Sequence, residues 1–368
     1  MDYLNFNNAG SSKTFQSCNN AIIRYLEEEK KYGGYYSADL FSTKINKFYL
    51  NLSTLINCNP SEISFISNTT LGFNLLINSF QGLKNGNIII FSNEYDSNLI
   101  CLRQNRINFK VVRLDDNGDF DLNELRSKID SNTLIVNLCH ITSYIGNENP
   151  AEKIGKIIKK INPNIIYSID ACQSIGHINI DVKQFKCDVL IGSGRKFLRG
   201  PRGTGFIYLK KMNESLIKPC IIDSHNIDNK SKTGLKKDHV FENFEYSPAL
   251  KVGLSESIRR INNLGIPKIQ NDIKSKSKYF RNKLKKMSNI NLYESENKVS
   301  GINTLTIKNI PTKNIYNFLL KKKVLTSIVE KKDYYSRKNK ISNALRVSFH
   351  YYNTYKQIDY LIKCISRI

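Results

Sequence analysis

The middle of this 368-residue chain alternates short apolar runs with segments of helical spacing, and this alternation constrains the fold more than any other feature. Short apolar runs predict buried strands, and the amphipathic segments between them predict helices. Strands that alternate with helices form βαβ units, in which helices cover both faces of a mostly parallel sheet. The sequence therefore predicts an α/β fold. The predicted strands are 63–67, 87–91, 109–113, 133–138, 165–169, 189–192 and 205–209, and the helices among them are 71–80, 98–107, 122–129 and 151–161.

The pattern changes after residue 209, where a polar stretch runs to about residue 238. The remaining chain predicts a smaller α+β domain, with helices at 249–264, 269–287 and 355–365 and strands at 302–307, 324–328 and 345–349. We therefore divide the chain into an N-terminal helical segment (1–55), a large domain (56–245) and a small C-terminal domain (246–368). The basic string at 331–340 is predicted to be a mobile loop.

The formal charge of +24 is concentrated at one end of the chain. Residues 251–368 carry 26 basic and 7 acidic side chains, which leaves a net charge of only +5 for the first 250 residues. Lysine greatly outnumbers arginine, whose planar guanidinium suits phosphate and base recognition better. We interpret the excess as a lysine-rich solvated surface and predict no nucleic-acid partner. The alternative is a basic nucleic-acid-binding or scaffold protein, which would show salt-dependent binding to DNA or RNA.

Cysteine spacing and hydropathy predict a cytoplasmic protein. The 8 cysteines are scattered, and no two have the C-x-x-C spacing of a zinc ribbon or a redox pair, so no metal site is predicted. The first residues lack the basic start and apolar run of a signal peptide. No run of about 18 uncharged apolar residues predicts a membrane helix. We expect reduced, mostly buried thiols and no membrane partner.

Two residues that can carry chemistry follow predicted strands. Lys196 lies in a glycine-rich turn after the strand at 189–192 and precedes the string GPRGTG. A neutral lysine amine in such a turn can form a Schiff base, although a surface lysine in a hairpin is the alternative. Asp170 ends the strand at 165–169, where a buried carboxylate needs a cation such as a protonated pyridine nitrogen. Capping of the next turn is the alternative for Asp170.

Two further segments suggest anion binding. The strand at 63–67 leads into a helix through Thr69 and Thr70, whose hydroxyls and free N–H groups can form a phosphate site or an ordinary helix cap. Arg346 lies inside an otherwise apolar strand. A buried arginine needs an anion, which can be a substrate carboxylate or the carboxylate of a structural salt bridge.

In this combination and order, the four segments resemble the pyridoxal-phosphate enzymes of fold type I, in the class V aminotransferase and cysteine desulfurase superfamily. The similarity extends from Asn7 to Thr354. It implies a large domain with a mostly parallel seven-stranded sheet between helices, a small α+β C-terminal domain and pyridoxal 5'-phosphate as cofactor. It also implies an amino-acid substrate and a homodimer with shared active sites, in which the loop at 241–245 extends toward the partner subunit's site.

The resemblance implies a role for each matching residue. Lys196 matches the Schiff-base lysine, Asp170 the partner of the pyridine nitrogen, and Gln173 the contact to the phenolic oxygen. Tyr95 matches the ring stacked on the pyridine, where desulfurases usually have histidine, and it is also a candidate proton donor to departing sulfur. Arg346 matches the ligand of the substrate α-carboxylate. The other matching positions, for substrate or cofactor, are Asn8, Ala9, Thr69, Thr70, Ser143, Ser193 and Arg195.

One departure from the desulfurase pattern bears on the reaction. A cysteine desulfurase needs a nucleophilic cysteine on the loop before the carboxylate-binding arginine, but no cysteine lies between Cys220 and Cys364. The strings at 195–206 and 241–246 are most similar to the branch that contains C–S lyases, including the sulfoxide lyase of ergothioneine biosynthesis. We therefore expect a C–S β-lyase that converts a cysteine conjugate or sulfoxide to pyruvate and ammonia. A class V aminotransferase or an isopenicillin N epimerase-like enzyme is the alternative, and a cysteine desulfurase is less expected.

Overall fold

The computed structural model describes residues 2–114, 119–228, 234–330 and 343–368. Its α-helices are α1 (Gln16–Tyr32), α2 (Gly34–Leu40), α3 (Ser42–Ile56), α4 (Thr69–Ser79), α5 (Asp96–Gln104), α6 (Leu122–Lys128), α7 (Ala151–Ile161), α8 (Pro248–Leu264), α9 (Ile266–Leu284), α10 (Thr312–Lys321) and α11 (Tyr355–Ile365). Its strands are β1 (Leu4–Asn5), β2 (Ile63–Ile66), β3 (Asn87–Phe91), β4 (Asn108–Val112), β5 (Thr133–Cys139), β6 (Ile166–Asp170), β7 (Val189–Ser193), β8 (Gly205–Leu209), β9 (Ile290–Leu292), β10 (Ile302–Ile307), β11 (Val324–Leu325), β12 (Ser327–Val329) and β13 (Ala344–Ser348).

A seven-stranded sheet with the order β2-β8-β7-β6-β5-β3-β4 forms the centre of the large domain. Strands β7, β6, β5, β3 and β4 pair in parallel, whereas β8 is antiparallel to both of its neighbours. The predicted α/β fold with a mostly parallel seven-stranded sheet is therefore confirmed. Each of these strands begins and ends within about one residue of its predicted bounds. Strands buried on both faces are continuous apolar runs, whereas the edge strand β4 is partly exposed.

Helices cover both faces of the large sheet because alternate residues of its strands point to opposite sides. In β3, Ile88 and Ile90 join the core beneath α4 and α5. Ile89 and Phe91 join the core on the other face, beneath α3, α6, α7 and α8. At Gly155 in α7, a Cβ atom would lie 2.0 Å from the carbonyl oxygen of Phe185, so α7 approaches the adjacent loop this closely only because the residue is glycine.

The small sheet has the order β12-β13-β10-β9 with antiparallel pairing throughout. Helices α9, α10 and α11 pack against it and complete a separate apolar core. Strand β1 pairs in parallel with β11, Leu4 opposite Val324, in a separate two-stranded sheet, and Asn7 bridges to Ser348 of the small sheet. Helix α8 packs against α1 and α3. The domain bounds at residues 55 and 245 stay a prediction.

Three short elements were not predicted from the sequence: β1, β9 and α10. Strand β9 has 3 residues, of which Asn291 is exposed, so it carries no apolar run. Helix α10 buries Ile315 and Leu319, one pair at helical spacing, which is too little to identify a helix by periodicity. The predicted strand at 324–328 is divided into β11 and β12. The predicted mobile loop at 331–340 lies outside the described residues.

Among the described residues, no helix is both long enough and apolar enough to cross a membrane.

A column of stacked rings joins the large and small domains beside the Lys196 turn. The Phe197 ring lies between His177, at a centroid distance of 4.0 Å, and His350, at 5.5 Å. The Nε2 atom of His177 accepts a hydrogen bond from the N–H of Gly301 (2.8 Å), so Nδ1 carries the proton that is donated to the Gln173 carbonyl oxygen (3.0 Å). Burial lowers the pKa of His177 to about 4, and the ring is neutral.

We predict that His177 contributes stability at neutral pH that is lost on acidification. Unfolded histidine takes up a proton below about pH 6.5, whereas folded His177 stays neutral to about pH 4. The unfolded state therefore binds protons first, and the free energy of unfolding falls as the pH decreases through this window. The measurement is the difference in free energy of unfolding between the wild-type protein and His177→Gln at about pH 7.5 and about pH 5.

The difference in free energy of unfolding between the wild-type protein and His177→Gln should be smaller by roughly 2 kcal/mol at the lower pH. Subtraction removes the contribution of every other titrating group that the two proteins share. A difference that is the same at both pH values would contradict a neutral, buried His177.

Candidate active site

A cavity of about 270 Å³ opens at the carboxyl ends of β5, β6 and β7. This edge of a parallel sheet is where α/β proteins place their ligands. Its walls come from the ends of these strands, the first turn of α4 and the residues that precede α5. Every residue predicted to bind the cofactor lines this one cavity: Thr69, Thr70, Tyr95, Ser143, Asp170, Gln173, Ser193, Arg195 and Lys196.

Parallel pairing of β6 with β7 brings Asp170 close to Lys196. Asp170 is the last residue of β6 and lies opposite Ile191 of β7, which continues through Ser193 into the Lys196 turn. Asp170 is 4% exposed and Lys196 is 7% exposed. Burial raises the pKa of Asp170, while the N–H of Cys172, 2.9 Å from Oδ1, and the charge of Lys196 oppose this shift. Within the described residues, neither charge forms a salt bridge.

The first turn of α4 forms the polar end of the cavity. Asn68 caps this helix by accepting a hydrogen bond from the Leu71 N–H (2.9 Å), and the hydroxyls of Thr69 and Ser193 lie 2.7 Å apart. A Cβ atom at Gly205 would lie 2.6 Å from the carbonyl oxygen of Gly192, so glycine is needed where β8 meets β7 beside this helix. Free N–H groups at a helix start favour a phosphate.

Arg346 on β13 contacts Ser143, which lines the cavity, but Arg346 is not itself a lining residue, and it has no carboxylate partner among the described residues. Its Nη1 donates to the Ser143 carbonyl oxygen (2.7 Å), its Nε to Ser327 Oγ (3.0 Å) and its Nη2 to Asn7 Oδ1 (3.3 Å). All three acceptors are neutral, and no acidic residue in the described parts of the chain forms a salt bridge with this guanidinium. Burial lowers the pKa of Arg346 to about 10. A cation held in this way is suited to bind an anion.

The turn at Asn8 and Ala9 is near this arginine, but its contacts differ from the expected ones. Asn8 is fully buried, and its Nδ2 donates to the Ser348 carbonyl oxygen (2.7 Å). The Ala9 N–H donates to Ser348 Oγ (2.8 Å), and its carbonyl oxygen accepts from Gln173 Nε2 (3.1 Å). The side chain that contacts Arg346 is that of Asn7. Direct substrate contacts by Asn8 and Ala9 stay a prediction.

Two buried polar residues near the cavity were not selected from the sequence. Asn98 in α5 donates from Nδ2 to Glu94 Oε1 (2.9 Å) and, at 3.4 Å, to Asp170 Oδ2. Glu94 and Asn98 are both about 1% exposed. The sequence feature that could have identified them is the spacing of Glu94 and Asn98, an acid and an amide four residues apart on either side of Tyr95. At the start of a helix, this spacing places two side chains on the same face.

The fold and the cavity define the chain as a pyridoxal-phosphate enzyme of fold type I. The family model for class-V aminotransferases matches residues 4–361, and the chain belongs to this family.

Relatives and solved structures cover almost the whole chain. A probable cysteine desulfurase of Borreliella burgdorferi is 28% identical over 393 residues, which cover 99% of this chain and 91% of that protein. The apo structure of a cysteine desulfurase from Thermococcus onnurineus NA1 has a TM-score of 0.88 at 22% identity, covering 99% and 94% of the two chains. The cystine C–S lyase C-DES has a TM-score of 0.88 at 17% identity, covering 98% and 96%. These two structures share the fold of this chain.

The residues of the cavity fit pyridoxal phosphate. The buried Oε1 of Gln173 has no hydrogen-bond partner among the described residues, so a polar ligand in the cavity would satisfy it. The start of α4 suits the phosphate, and the buried carboxylate of Asp170 suits a protonated ring nitrogen. Lys196 supplies the amine to which the aldehyde carbon can bond.

We predict that Asp170→Asn preserves the stability of the cofactor-free protein. The asparagine can still accept the Cys172 N–H, and a buried charge without a salt-bridge partner is removed, so the free energy of unfolding should change by less than about 1 kcal/mol. Affinity for the cofactor should fall, because the charge opposite the ring nitrogen is lost. Thermal unfolding and cofactor titration measure the two effects.

Asp188→Asn is the matched control for this variant. Asp188 is also buried, but it pairs with Lys159 and accepts a hydrogen bond from the Tyr167 N–H (2.8 Å). Breaking that salt bridge should lower the free energy of unfolding by about 3 kcal/mol. Equal destabilisation by the two substitutions would contradict our description of Asp170.

Proposed function

We propose that this protein is a pyridoxal-phosphate-dependent C–S β-lyase that cleaves a cysteine-type amino acid. The cavity supports amino-acid chemistry, because it joins an amine, a buried acid and a nearby arginine without a carboxylate partner. The observation that favours elimination over sulfur transfer is the lack of cysteine between Cys220 and Cys364, the stretch in which a desulfurase would carry its nucleophile.

Arg346 binds the substrate α-carboxylate in this proposal. A carboxylate can accept two parallel N–H bonds from the guanidinium plane. The Ser143 carbonyl oxygen and Asn7 hold that plane from two sides, at 2.7 Å and 3.3 Å, so its orientation is set before substrate binds. The substrate's Cα is thereby held between the small domain and Lys196.

Lys196 moves the proton in the first chemical step. Its Nζ accepts the proton from the substrate Cα, which leaves an electron pair on that carbon. Bound pyridoxal phosphate supplies the electron sink for this pair. Asp170 holds the proton on the ring nitrogen through its buried carboxylate.

Elimination then breaks the Cβ–S bond. The electron pair on Cα forms the Cα=Cβ double bond, and the sulfur leaves with the electrons of the Cβ–S bond. Tyr95, whose side chain lines the cavity, is placed to donate a proton to this sulfur, with stacking on the ring as its alternative role. The three-carbon enamine that remains takes up water and yields pyruvate and ammonia.

The second candidate function is a cysteine desulfurase, which is favoured by the names of the relatives. A desulfurase transfers the substrate sulfur to an enzyme thiolate and releases alanine. Two thiols line the cavity, those of Cys139 and Cys172. Burial and the charge of Asp170 raise the pKa of the Cys139 thiol well above its usual value, so Cys139 is a poor nucleophile. Cys172, which is partly buried, is the remaining acceptor in the cavity.

Product analysis tests this proposal. The holoenzyme is incubated with cystine, cysteine, cysteine S-conjugates and their sulfoxides, while pyruvate, ammonia, alanine and sulfide are measured. We expect pyruvate and ammonia in equal amounts from at least one of these substrates, with full activity in Cys172→Ala. Lys196→Ala should lose both the activity and the near-visible absorbance band of the bound cofactor.

Other products would identify another function. Alanine as the product, with activity lost in Cys172→Ala, would establish a desulfurase. Conversion of the cofactor to pyridoxamine phosphate with a keto acid as product would establish an aminotransferase.

We also propose that the protein is a homodimer. Helices α1 and α2 and the loop at 241–246 expose neighbouring apolar side chains, with Tyr35 79% exposed and its ring centroid 6.1 Å from that of Phe244. Exposed apolar patches of this kind are typical of protein interfaces. The same loop is held from inside by Glu242, which forms a buried salt bridge with Lys251. The exposed aromatic residues and leucine of this patch are Tyr32, Tyr35, Tyr36, Leu40 and Phe244.

We predict that Tyr35→Asp and Phe244→Asp, made together, convert the dimer to a monomer. Each substitution places a charge inside a surface that is buried on association, which costs several kcal/mol in the complex. Size-exclusion chromatography with light scattering measures the molar mass. Met212→Asp, at an exposed apolar residue outside the patch, should leave the mass unchanged. A wild-type protein that is monomeric at all concentrations would contradict the proposal.

A further inference from the structure

A second buried carboxylate lies behind Asp170 and outside the cavity wall. Glu94 follows β3 and accepts three hydrogen bonds, from the Tyr95 N–H (2.8 Å), Asn98 Nδ2 (2.9 Å) and Asn137 Nδ2 (2.8 Å). No lysine or arginine in the described residues forms a salt bridge with it. A carboxylate that is buried without a counter-ion is costly, so its hydrogen bonds have to be satisfied by a specific arrangement of the surrounding groups.

Asn98 connects this carboxylate to Asp170. The side-chain amide has two N–H groups, of which one points to Glu94 Oε1 (2.9 Å) and the other to Asp170 Oδ2 (3.4 Å). An amide rotated by 180° would place its oxygen against two carboxylates. Glu94 therefore fixes the orientation of Asn98, and Asn98 in turn holds Asp170.

Glu94 also fixes the residue on the other side of the site. Its Oε1 accepts the backbone N–H of Tyr95, whose side chain lines the cavity at the start of α5. Its Oε2 is held from the sheet by Asn137 of β5. One buried carboxylate thus links the end of β6, the start of α5 and the centre of β5.

The charges around Glu94 make it sensitive to pH. Asp170 faces it from β6 and Cys139 from β5, while Lys196 lies beyond Asp170 after β7. Burial and the charge of Asp170 raise the pKa of Glu94 to about 7, against its three hydrogen bonds. The negative charge on Glu94 consequently increases as the pH rises through neutrality.

We propose that Glu94 is a positioning residue of the cofactor site, which aligns Asp170 through Asn98 and Tyr95 through its backbone N–H, and whose charge stabilises protons on the bound cofactor. Asp170 and Tyr95 would contact the ring, whereas Glu94 would act without contacting it. This inference rests on the cofactor site proposed above but does not depend on which reaction the enzyme catalyses.

Substitutions at Glu94 separate alignment from charge. Glu94→Gln keeps an oxygen for Tyr95 and Asn98, and its Nε2 can donate to Asn137 Oδ1, which has no partner in the described structure, after that amide rotates. Glu94→Ala and Asn98→Ala each remove the alignment. Glu294→Gln is the control, because Glu294 is also buried, its pKa is also raised to about 7 by burial, and it contacts none of these residues.

The measurements are the cofactor dissociation constant, from titration of the cofactor-free protein, and the pH midpoint of the near-visible absorbance band of the holoenzyme. The cofactor dissociation constant of Glu94→Gln should be within about threefold of the wild-type value. The pH midpoint of its absorbance band should be about one pH unit lower, because a negative charge near the cofactor is lost. Glu94→Ala and Asn98→Ala should weaken binding at least about tenfold, and the double variant should be no weaker than the worse single variant.

Wild-type values of both quantities in Glu94→Gln and Asn98→Ala would overturn the inference, as would an equal shift in Glu294→Gln. Failure of the wild-type protein itself to bind the cofactor would instead overturn the proposed function. If Glu94→Ala does not fold, Glu94→Gln and Asn98→Ala still decide the matter.

Discussion

The parallel pairing of β6 and β7 is the constraint on which the rest of the molecule depends. Parallel strands need crossover connections, so helices cover both faces of the large sheet and its strands are apolar on both sides. In the fully buried strands β3, β6 and β7, charged side chains can then lie only where a strand ends. Because β6 and β7 end at the same edge, Asp170 and Lys196 are brought together there, next to the start of α4. The position of the cavity and the chemistry of its walls both follow from this pairing.

Buried charged residues form salt bridges away from the cavity but not around it. Away from it, Asp188 pairs with Lys159, and Glu242 pairs with Lys251. Around the cavity, Asp170, Glu94 and Arg346 are held by neutral donors and acceptors and form no salt bridge within the described residues. Among the described residues, Asp170 in the cavity wall and Arg346 beside it are thus left without a salt-bridge partner. A ligand with a positive ring nitrogen and a negative carboxylate supplies both missing partners, which is a physical reason for tight binding.

Periodicity predicted the large sheet well because its strands are buried on both faces, and it failed for β1, β9 and α10, which bury few residues each. The cofactor-binding residues could be selected because they follow strands or lie in a glycine-rich turn, and all of them line one cavity. The roles of Asn7 and Asn8 could not be separated, because the direction of a side chain in a turn depends on tertiary contacts. Glu94 was missed because its link to Asp170 runs through Asn98, and because its third partner, Asn137, lies on β5, 43 residues away in sequence. Residue types alone do not determine the reaction, because the same electron pair on the substrate Cα can lead to elimination, transamination or epimerisation.

The pairing of β1 with β11 has a consequence for how the protein is made. Residues 4 and 5 are synthesised long before their partners at 324 and 325, and Asn7 long before Arg346, which contacts it. The large sheet can form while translation continues, because its strands end at residue 209. The substrate side of the cavity cannot. Until β13 is synthesised, the nascent chain contains the residues that line the cofactor cavity but lacks the arginine that is proposed to bind the substrate.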